Sequence, residues 1–293
     1  MKLKSILSNE KVKQFILFIV ILKVWRIQTK NKQVILDTHD KMYNTPIFVK
    51  RNIGANIIAF EHITHKDENT IIYMANMHGD ETVGRILMKN LLDFFRDTPD
   101  HEIMKRLNVI IIPTLNPKKS FIQRRTSNNT DMNRDFCHNK QKGSCPETDA
   151  CMKYLIKLNN TYNIKYAINF HGGALCASYP LDAHPQKHNK YSKCKDDNFL
   201  RKMAQLYADN HPTMRNHHNN GITNGAEWYH CDNTLQDWMY KDLKIPNITL
   251  EVSRMKNPFL ITSLSKEEQY WNDNKQSLLK SLEVFIDKRK YIT

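Results

Sequence analysis

The 293-residue chain has no C-x-x-C pair and no zinc-finger spacing among its six cysteines, which removes small structural metal modules and thioredoxin-like motifs from consideration. No dense basic run interleaved with aromatic residues is present. The formal net charge of +14, from 44 Lys and Arg against 30 Asp and Glu, is carried by lysines scattered among abundant Asn and Ile. No nucleic-acid partner is therefore expected. The absence of an internal repeat excludes solenoids and propellers. An apolar run of membrane-spanning length is also missing, because residues 15–22 are followed at once by Lys23 and Arg26.

What is present suits one large folded domain. A hydrophobic content of 40% with 25% charged residues is ordinary for a soluble fold, and the length suffices for a substantial core. An even cysteine count permits up to three disulfides without requiring any, and Cys137, Cys145 and Cys151 lie close enough in sequence for one pairing in an oxidising compartment. Lys2, Lys4, Lys11 and Lys13 precede the short apolar run, a basic-then-apolar order that resembles a secretory signal. No small-residue cleavage site follows, which leaves an uncleaved membrane anchor as the alternative. The expected organisation is a signal- or anchor-like segment over residues 1–30, a polar linker over 31–44 and a folded domain over 45–288. The expected location is extracellular or in the secretory pathway. Sequons at Asn128, Asn159 and Asn247 are compatible with a glycoprotein.

Along the chain, residues 46–49 and 56–60 read as short strands around a turn at 51–54, and 71–74 supplies a third strand. Leu87, Leu91, Leu92 and Phe95 recur at helical spacing, and 109–112 is a continuous apolar run of the kind buried on both faces. Residues 116–145 are polar and aperiodic, a length that in a compact domain points to function or disorder. A helix opens at Pro146, a buried strand covers 166–170, a helix covers 199–211, a last strand covers 248–252, and a helix from about 266 to 285 closes the chain. The alternation predicts an α/β fold with a mixed, mainly parallel twisted β-sheet and helices on both faces.

Two of the predicted strands end at a histidine beside glycine. One runs into His78-Gly79-Asp80-Glu81, the other into His171-Gly172-Gly173. Imidazole and carboxylate are both good zinc ligands, and ligand crevices in open α/β sheets lie outside the carboxyl ends of strands, where the two histidines can meet. His-x-x-Glu alone is a short pattern whose ordinary reading is a surface turn with a helix-capping acid.

The chain resembles the zinc metallocarboxypeptidases of the carboxypeptidase A family, in particular its carboxypeptidase N/E-like (regulatory) branch. The resemblance covers roughly residues 45–288 and rests on Asn76-Met77-His78-Gly79-Asp80-Glu81, Asp131-Met132-Asn133-Arg134-Asp135-Phe136, Phe170-His171-Gly172-Gly173 through Ser178-Tyr179-Pro180-Leu181-Asp182, Gly221 to Ala226 with Trp228-Tyr229, Gln236-Asp237-Trp238 and Ile248-Thr249-Leu250-Glu251, in that order. It implies a zinc-dependent exopeptidase, one Zn2+ per chain, acting as a monomer on peptide or protein C-termini. His78, Glu81 and His171 would hold the metal, leaving a fourth position open. Glu251 matches the general base. Arg124, rather than Arg125, falls in register for stabilising the oxyanion, because the segment from Arg124 to Arg134 aligns without a gap. Asn133 and Arg134 match the pair that holds the substrate carboxylate, and a guanidinium suits that task because it binds carboxylate bidentately. Tyr229 matches the tyrosine that caps the bound residue. Asp182 and Gln236 stand where this branch reads a C-terminal Lys or Arg; the ordinary alternative is a loop aspartate and a sheet-edge glutamine.

Some positions depart from the family pattern. Asn233-Thr234 stands where relatives carry Gly-Gly, Lys118-Lys119 where they carry Asp-Gly, and the transthyretin-like domain that follows the catalytic domain in this branch has no counterpart in the chain. Two other functions stay open on sequence alone: a catalytically weak or inactive binding protein that keeps the fold, and a related zinc amide hydrolase such as an N-acyl amino acid deacylase.

Overall fold

The computed structural model describes residues 47–118, 123–140, 142–257 and 266–286, together with positions 14, 18, 19, 22 and 23. Apart from those five positions, the segment expected over 1–30 and the linker expected over 31–44 lie outside the described residues, as do Pro46 and Lys119. None of the described helices is long and apolar enough to cross a membrane.

Eight strands form one sheet: β1 (Val49–Gly54), β2 (Ile57–His62), β3 (Asn69–Ala75), β4 (Asn108–Ile112), β5 (Asn163–His171), β6 (Ala174–Tyr179), β7 (Ile222–Asn224) and β8 (Asn247–Ser253). Their order is β1-β2-β4-β3-β5-β8-β6-β7. The central strands β4, β3, β5 and β8 are parallel, while β2 joins β4 and β6 joins β8 antiparallel. The sheet is thus mixed and mainly parallel, as expected.

Side chains alternate across the central strands. Ile72, Met74, Ile110, Ile112 and Ala167 share an apolar cluster with Leu155 and Leu158 of helix α3 (Pro146–Thr161). Tyr73 and Tyr166 meet the other layer: Tyr73 Oη donates to Leu278 O of helix α7 (Lys266–Glu283) at 3.1 Å, and Tyr166 stacks on Phe285 at 5.2 Å between centroids. Burial from both faces explains why these strands read as unbroken apolar runs. The remaining helices are α1 (Val83–Asp97), α2 (Glu102–Arg106), α4 (Asp197–Asn210), α5 (Gly225–Trp228) and α6 (Leu235–Lys241).

The first hairpin differs from expectation. Residues 51–54 belong to β1, and the chain reverses at Ala55 and Asn56, with φ of 50° and 61°, so that Gly54 pairs with Ile57. Two successive left-handed residues give the turn whose twist suits a hairpin. Arg51 stays within the strand because its Nε and Nη2 both donate to the buried Glu61 carboxylate. Strands β6 and β7 and helices α2, α5 and α6 are additional to the sequence reading. The β6 sequence, Ala-Leu-Cys-Ala-Ser-Tyr, has no β-branched residue, and it is extended by pairing with β8 on one side and β7 on the other. All six cysteines are free; Cys145 accepts from Thr148 N at the N-terminus of α3.

Candidate active site

The parallel neighbours β3, β5 and β8 end side by side, and in the β5·β8 ladder His171 is in register with Glu251. At the end of β3, Asn76 turns left-handed (φ 53°), and its Nδ2 donates to His78 O at 2.8 Å and Glu81 O at 3.2 Å. The turn is therefore clamped from inside. Gly84 then lets α1 start against β5, since a Cβ there would lie 2.5 Å from Phe170 Cβ. On the far side Thr82 donates its N–H to Lys256 O (3.1 Å) and its hydroxyl to Asn257 Oδ1 (3.1 Å), tying this loop to the one after β8.

His78, Glu81 and His171 converge. Glu81 Oε2 lies 3.0 Å from His78 Nδ1 and 2.8 Å from His171 Nδ1, and the two Nδ1 atoms are 3.1 Å apart. All three side chains are buried. Among the described residues no other set of three His, Cys, Asp or Glu offers ligand atoms so close together. Two imidazole nitrogens and a carboxylate oxygen at this separation repel unless a proton or a metal cation lies between them. The surroundings favour the metal. His78 Nε2 sits 2.9 Å from Asp131 Oδ1, so a ring hydrogen held there by the acid leaves the Nδ1 lone pair pointing inward. His171 Nε2 meets the Asn169 side-chain amide at 2.7 Å, which can fix the second ring in the same way when it presents its oxygen. Glu81 Oε1 is occupied by Arg124 Nη1 (3.1 Å) and approached by Lys256 Nζ (3.5 Å), leaving Oε2 for a ligand. Burial opposes the Glu81 charge, but when hydrogens rather than a metal occupy the facing Nδ1 atoms, the bonds from His171 and His78 outweigh it and hold the carboxyl far below its usual range, the demand for positive charge that a cation would meet instead. The donor set thus fits a zinc ion.

Of the neighbouring arginines, Arg124 lines the cleft, with Nε on Asp131 Oδ2 at 3.0 Å, whereas Arg125 donates to Asn129 O at the surface. Glu251 lines the same cleft. Its Oε2 is buried without a hydrogen-bond partner, and its pKa is pushed up to about 8 by burial and then by the charge of Glu81.

The same cleft is also lined by Asn133, Asp182, Gly225, Tyr229 and Cys231. Asn133 lies in a 3-10 turn, and its Oδ1 accepts from Leu235 N (3.0 Å), which leaves Nδ2 as its free donor. Arg134 is exposed beside the cleft rather than in its wall; its Nη1 donates to Asn133 O, and its charge acts on both Asp182 and Tyr229. Asp182 Oδ1 accepts from Gln236 Nε2 at 2.6 Å, and burial, followed by the charge of Asp237, pushes its pKa up to about 7. Gln236 sits on helix α6 behind Asp182, not on a sheet edge, and its Oε1 is buried with no hydrogen-bond partner. A Cβ at Gly225 would fall onto Asp182 Oδ1, so only glycine leaves the acid its place. The altered Asn233-Thr234 pair is absorbed locally: Asn233 takes the left-handed conformation (φ 57°) and Thr234 caps α6 by accepting from Asp237 N.

Asp131 and Asn169 are site residues that the sequence reading did not assign. Asn169 lies two residues before His171 on the same strand, hence on the same face, which is a signal period-2 reasoning can use. Asp131 gives no such signal, because it reaches His78 across 53 residues.

Residues 47–277 match the zinc carboxypeptidase family. The chain is 30% identical over 277 residues to Drosophila melanogaster carboxypeptidase D, covering 80% of this chain and 19% of that protein. It is 36% identical over 239 residues to Mus musculus carboxypeptidase M, covering 71% and 52%. The chain thus spans about half or less of the length of these curated relatives. Among solved structures, bovine thrombin-activatable fibrinolysis inhibitor in complex with tick carboxypeptidase inhibitor superposes with a TM-score of 0.68 at 16% identity, covering 88% of this chain and 96% of that one. Carboxypeptidase A from Helicoverpa armigera gives 0.65 at 12% identity, covering 87% and 72%. These two likenesses establish the fold, and with the family match over residues 47–277 the chain belongs to the zinc carboxypeptidase family.

Proposed function

We propose that this chain is a zinc-dependent exopeptidase that hydrolyses the C-terminal peptide bond of peptides or proteins and releases Lys or Arg, acting as a monomer outside the cell or in the secretory pathway. The observation that carries the reading is a single cleft lined by three converging metal donors, by Glu251 with its partnerless Oε2 and by the half-buried Asp182, which Gln236 holds from behind.

His78, Glu81 and His171 would hold one zinc ion. Bound zinc supplies Lewis acidity and lowers the pKa of a coordinated water toward about 7. Arg134 and the free Asn133 Nδ2 hold the substrate carboxylate, which restricts cleavage to the terminal bond. Asp182 faces the cationic side chain, and Gln236 Oε1 supplies a second acceptor that is otherwise unsatisfied. The Arg124 guanidinium stabilises the developing oxyanion. Glu251 Oε2 takes a proton from the attacking water and returns it to the leaving amine, a task suited to a carboxyl raised toward neutrality. Tyr229, 42% exposed at the mouth, closes over the bound residue.

The test is hydrolysis of blocked dipeptides ending in Arg, Lys, Phe or Glu, with and without chelator. Chelator-sensitive release of Arg and Lys is expected. No release from any of them would favour an inactive binding protein, and hydrolysis confined to N-acyl amino acids would favour the deacylase. A second measurement addresses the metal directly. Asp131→Asn is expected to weaken zinc binding about 10- to 100-fold in a chelator competition, the usual loss when a histidine's outer partner is removed. An unchanged affinity would remove Asp131 from the site.

A further inference from the structure

We propose that His230 is a positioning residue, a latch that fastens the segment carrying Tyr229 to the loop carrying Asp182 and opens on acidification. The proposal rests on the reading of Tyr229 and Asp182 given above. Three hydrogen bonds join the two segments. His230 Nδ1 accepts from His184 N at 2.9 Å, His230 N donates to Asn189 Oδ1 at 2.8 Å, and Cys231 N donates to Asp182 O at 2.9 Å. The residue next to the capping tyrosine and the residue after it are thus both tied to the stretch that begins with the acid of the pocket.

The first of these bonds depends on protonation. A backbone N–H can only donate, so Nδ1 of His230 must be bare and its hydrogen must sit on Nε2, which lies 3.3 Å from Asp232 Oδ2. A second proton on the ring places an N–H against the His184 N–H, and the bond becomes a clash of donors. The charged groups around the ring pull in both directions. Asp232 favours the imidazolium. Lys187, whose Nζ is 3.8 Å from Asp232 Oδ2, competes for that carboxylate, and a protonated His184 would oppose a second positive charge. The net response is a loosening on the acid side, once the ring takes up its second proton. Both the cap and the pocket acid lose their mutual register, so the effect falls on substrate binding more than on the chemical step.

Two variants separate this role from plain structural support. In His230→Asn the amide oxygen takes the place of Nδ1, accepts from His184 N and does not titrate; His230→Leu has no acceptor. KM and kcat are measured with a blocked dipeptide ending in Arg from pH 5 to 8, each variant being expressed as a ratio to the unmodified enzyme so that the titration of Asp182, common to all, cancels. At pH 8 the Asn variant is expected to match the unmodified enzyme, and the Leu variant to raise KM about 3- to 10-fold, the range one hydrogen bond supplies. At pH 5.5 the KM ratio of the Leu variant to the unmodified enzyme is expected to fall toward one and that of the Asn variant to fall below one, with the kcat ratios near one throughout. Parallel KM profiles for the unmodified and Asn forms would overturn the latch. Amide hydrogen exchange at His184 gives the same decision without turnover: protection should fall on acidification in the unmodified protein and hold in the Asn variant. Equal protection in both refutes the latch, whereas absent hydrolysis with the expected exchange difference refutes only the peptidase reading.

Discussion

Replacing Glu251 by Gln is expected to lower kcat about a hundred- to ten-thousandfold, the contribution of a positioned acid–base group, while zinc content and folding persist. The amide is nearly isosteric, and the carboxylate it replaces lends no hydrogen bond from Oε2 to the surrounding protein. The hydrogen bond that the carboxyl takes from the Ala174 backbone can pass to the amide oxygen, so nothing structural need be lost. The substitution also removes a negative charge from beside Glu81, a charge the fold already resists by raising the Glu251 pKa to about 8. What disappears is a site that can accept a proton and give it back. Metal content by chelator competition and the thermal midpoint serve as controls. A variant that folds, holds zinc and retains more than about a tenth of wild-type kcat would remove Glu251 from the proposed mechanism.

Asp182→Asn is expected to reverse the proposed preference for a basic terminal residue. Removing one member of a buried charge pair costs about 2–5 kcal/mol, so kcat/KM for a substrate ending in Arg should fall by about 30-fold or more, with little change for one ending in Phe. The pH dependence carries an independent signature. The Asp182 carboxyl has its pKa raised to about 7, by burial first and the Asp237 charge second, so in the free enzyme it is neutral below that pH and ionised above it. An arriving guanidinium pairs only with the ionised form. Binding of Arg must then release a proton below about pH 7 and none above, so kcat/KM for Arg divided by kcat/KM for Phe should rise with pH up to about 7 and level off. The Asn variant should show a flat ratio. A ratio that stays pH-dependent in the variant would assign the titration to another group.

The central strands were legible because burial on both faces leaves no polar alternation to obscure them: β4 is Asn followed by Val-Ile-Ile-Ile, and β3 is buried from end to end. The strands beyond β8 were less so. Strand β6 has weak propensity of its own and owes its conformation to β7 and β8. The first turn was misplaced because Ala55 at positive φ carries no sequence mark, while the nearby Gly54 does. Within the site, the two histidines stood out because each closes an apolar run, and Glu81 because it follows the first by three residues, whereas Glu251 was assigned through the family resemblance. The partners that orient them did not stand out. That Arg124 would bridge Glu81 and Asp131, and that Arg134 would remain outside the cleft wall, depend on tertiary contacts, and the sequence around them has no periodicity to read.

The distance along the chain between the proposed ligands has a consequence for how the metal is acquired. His78 and Glu81 share one turn, but His171 follows 93 residues later, and it reaches them only when β5 docks beside β3 after the chain has passed through β4 and α3. A nascent chain that has exposed the first turn offers two ligands and can hold zinc only weakly. Capture at full strength waits for a non-local, parallel pairing, the slowest kind of contact to form. Resistance to a chelator would therefore report that the middle of the sheet has assembled, and a chain stalled or cut before β5 should give its zinc up readily.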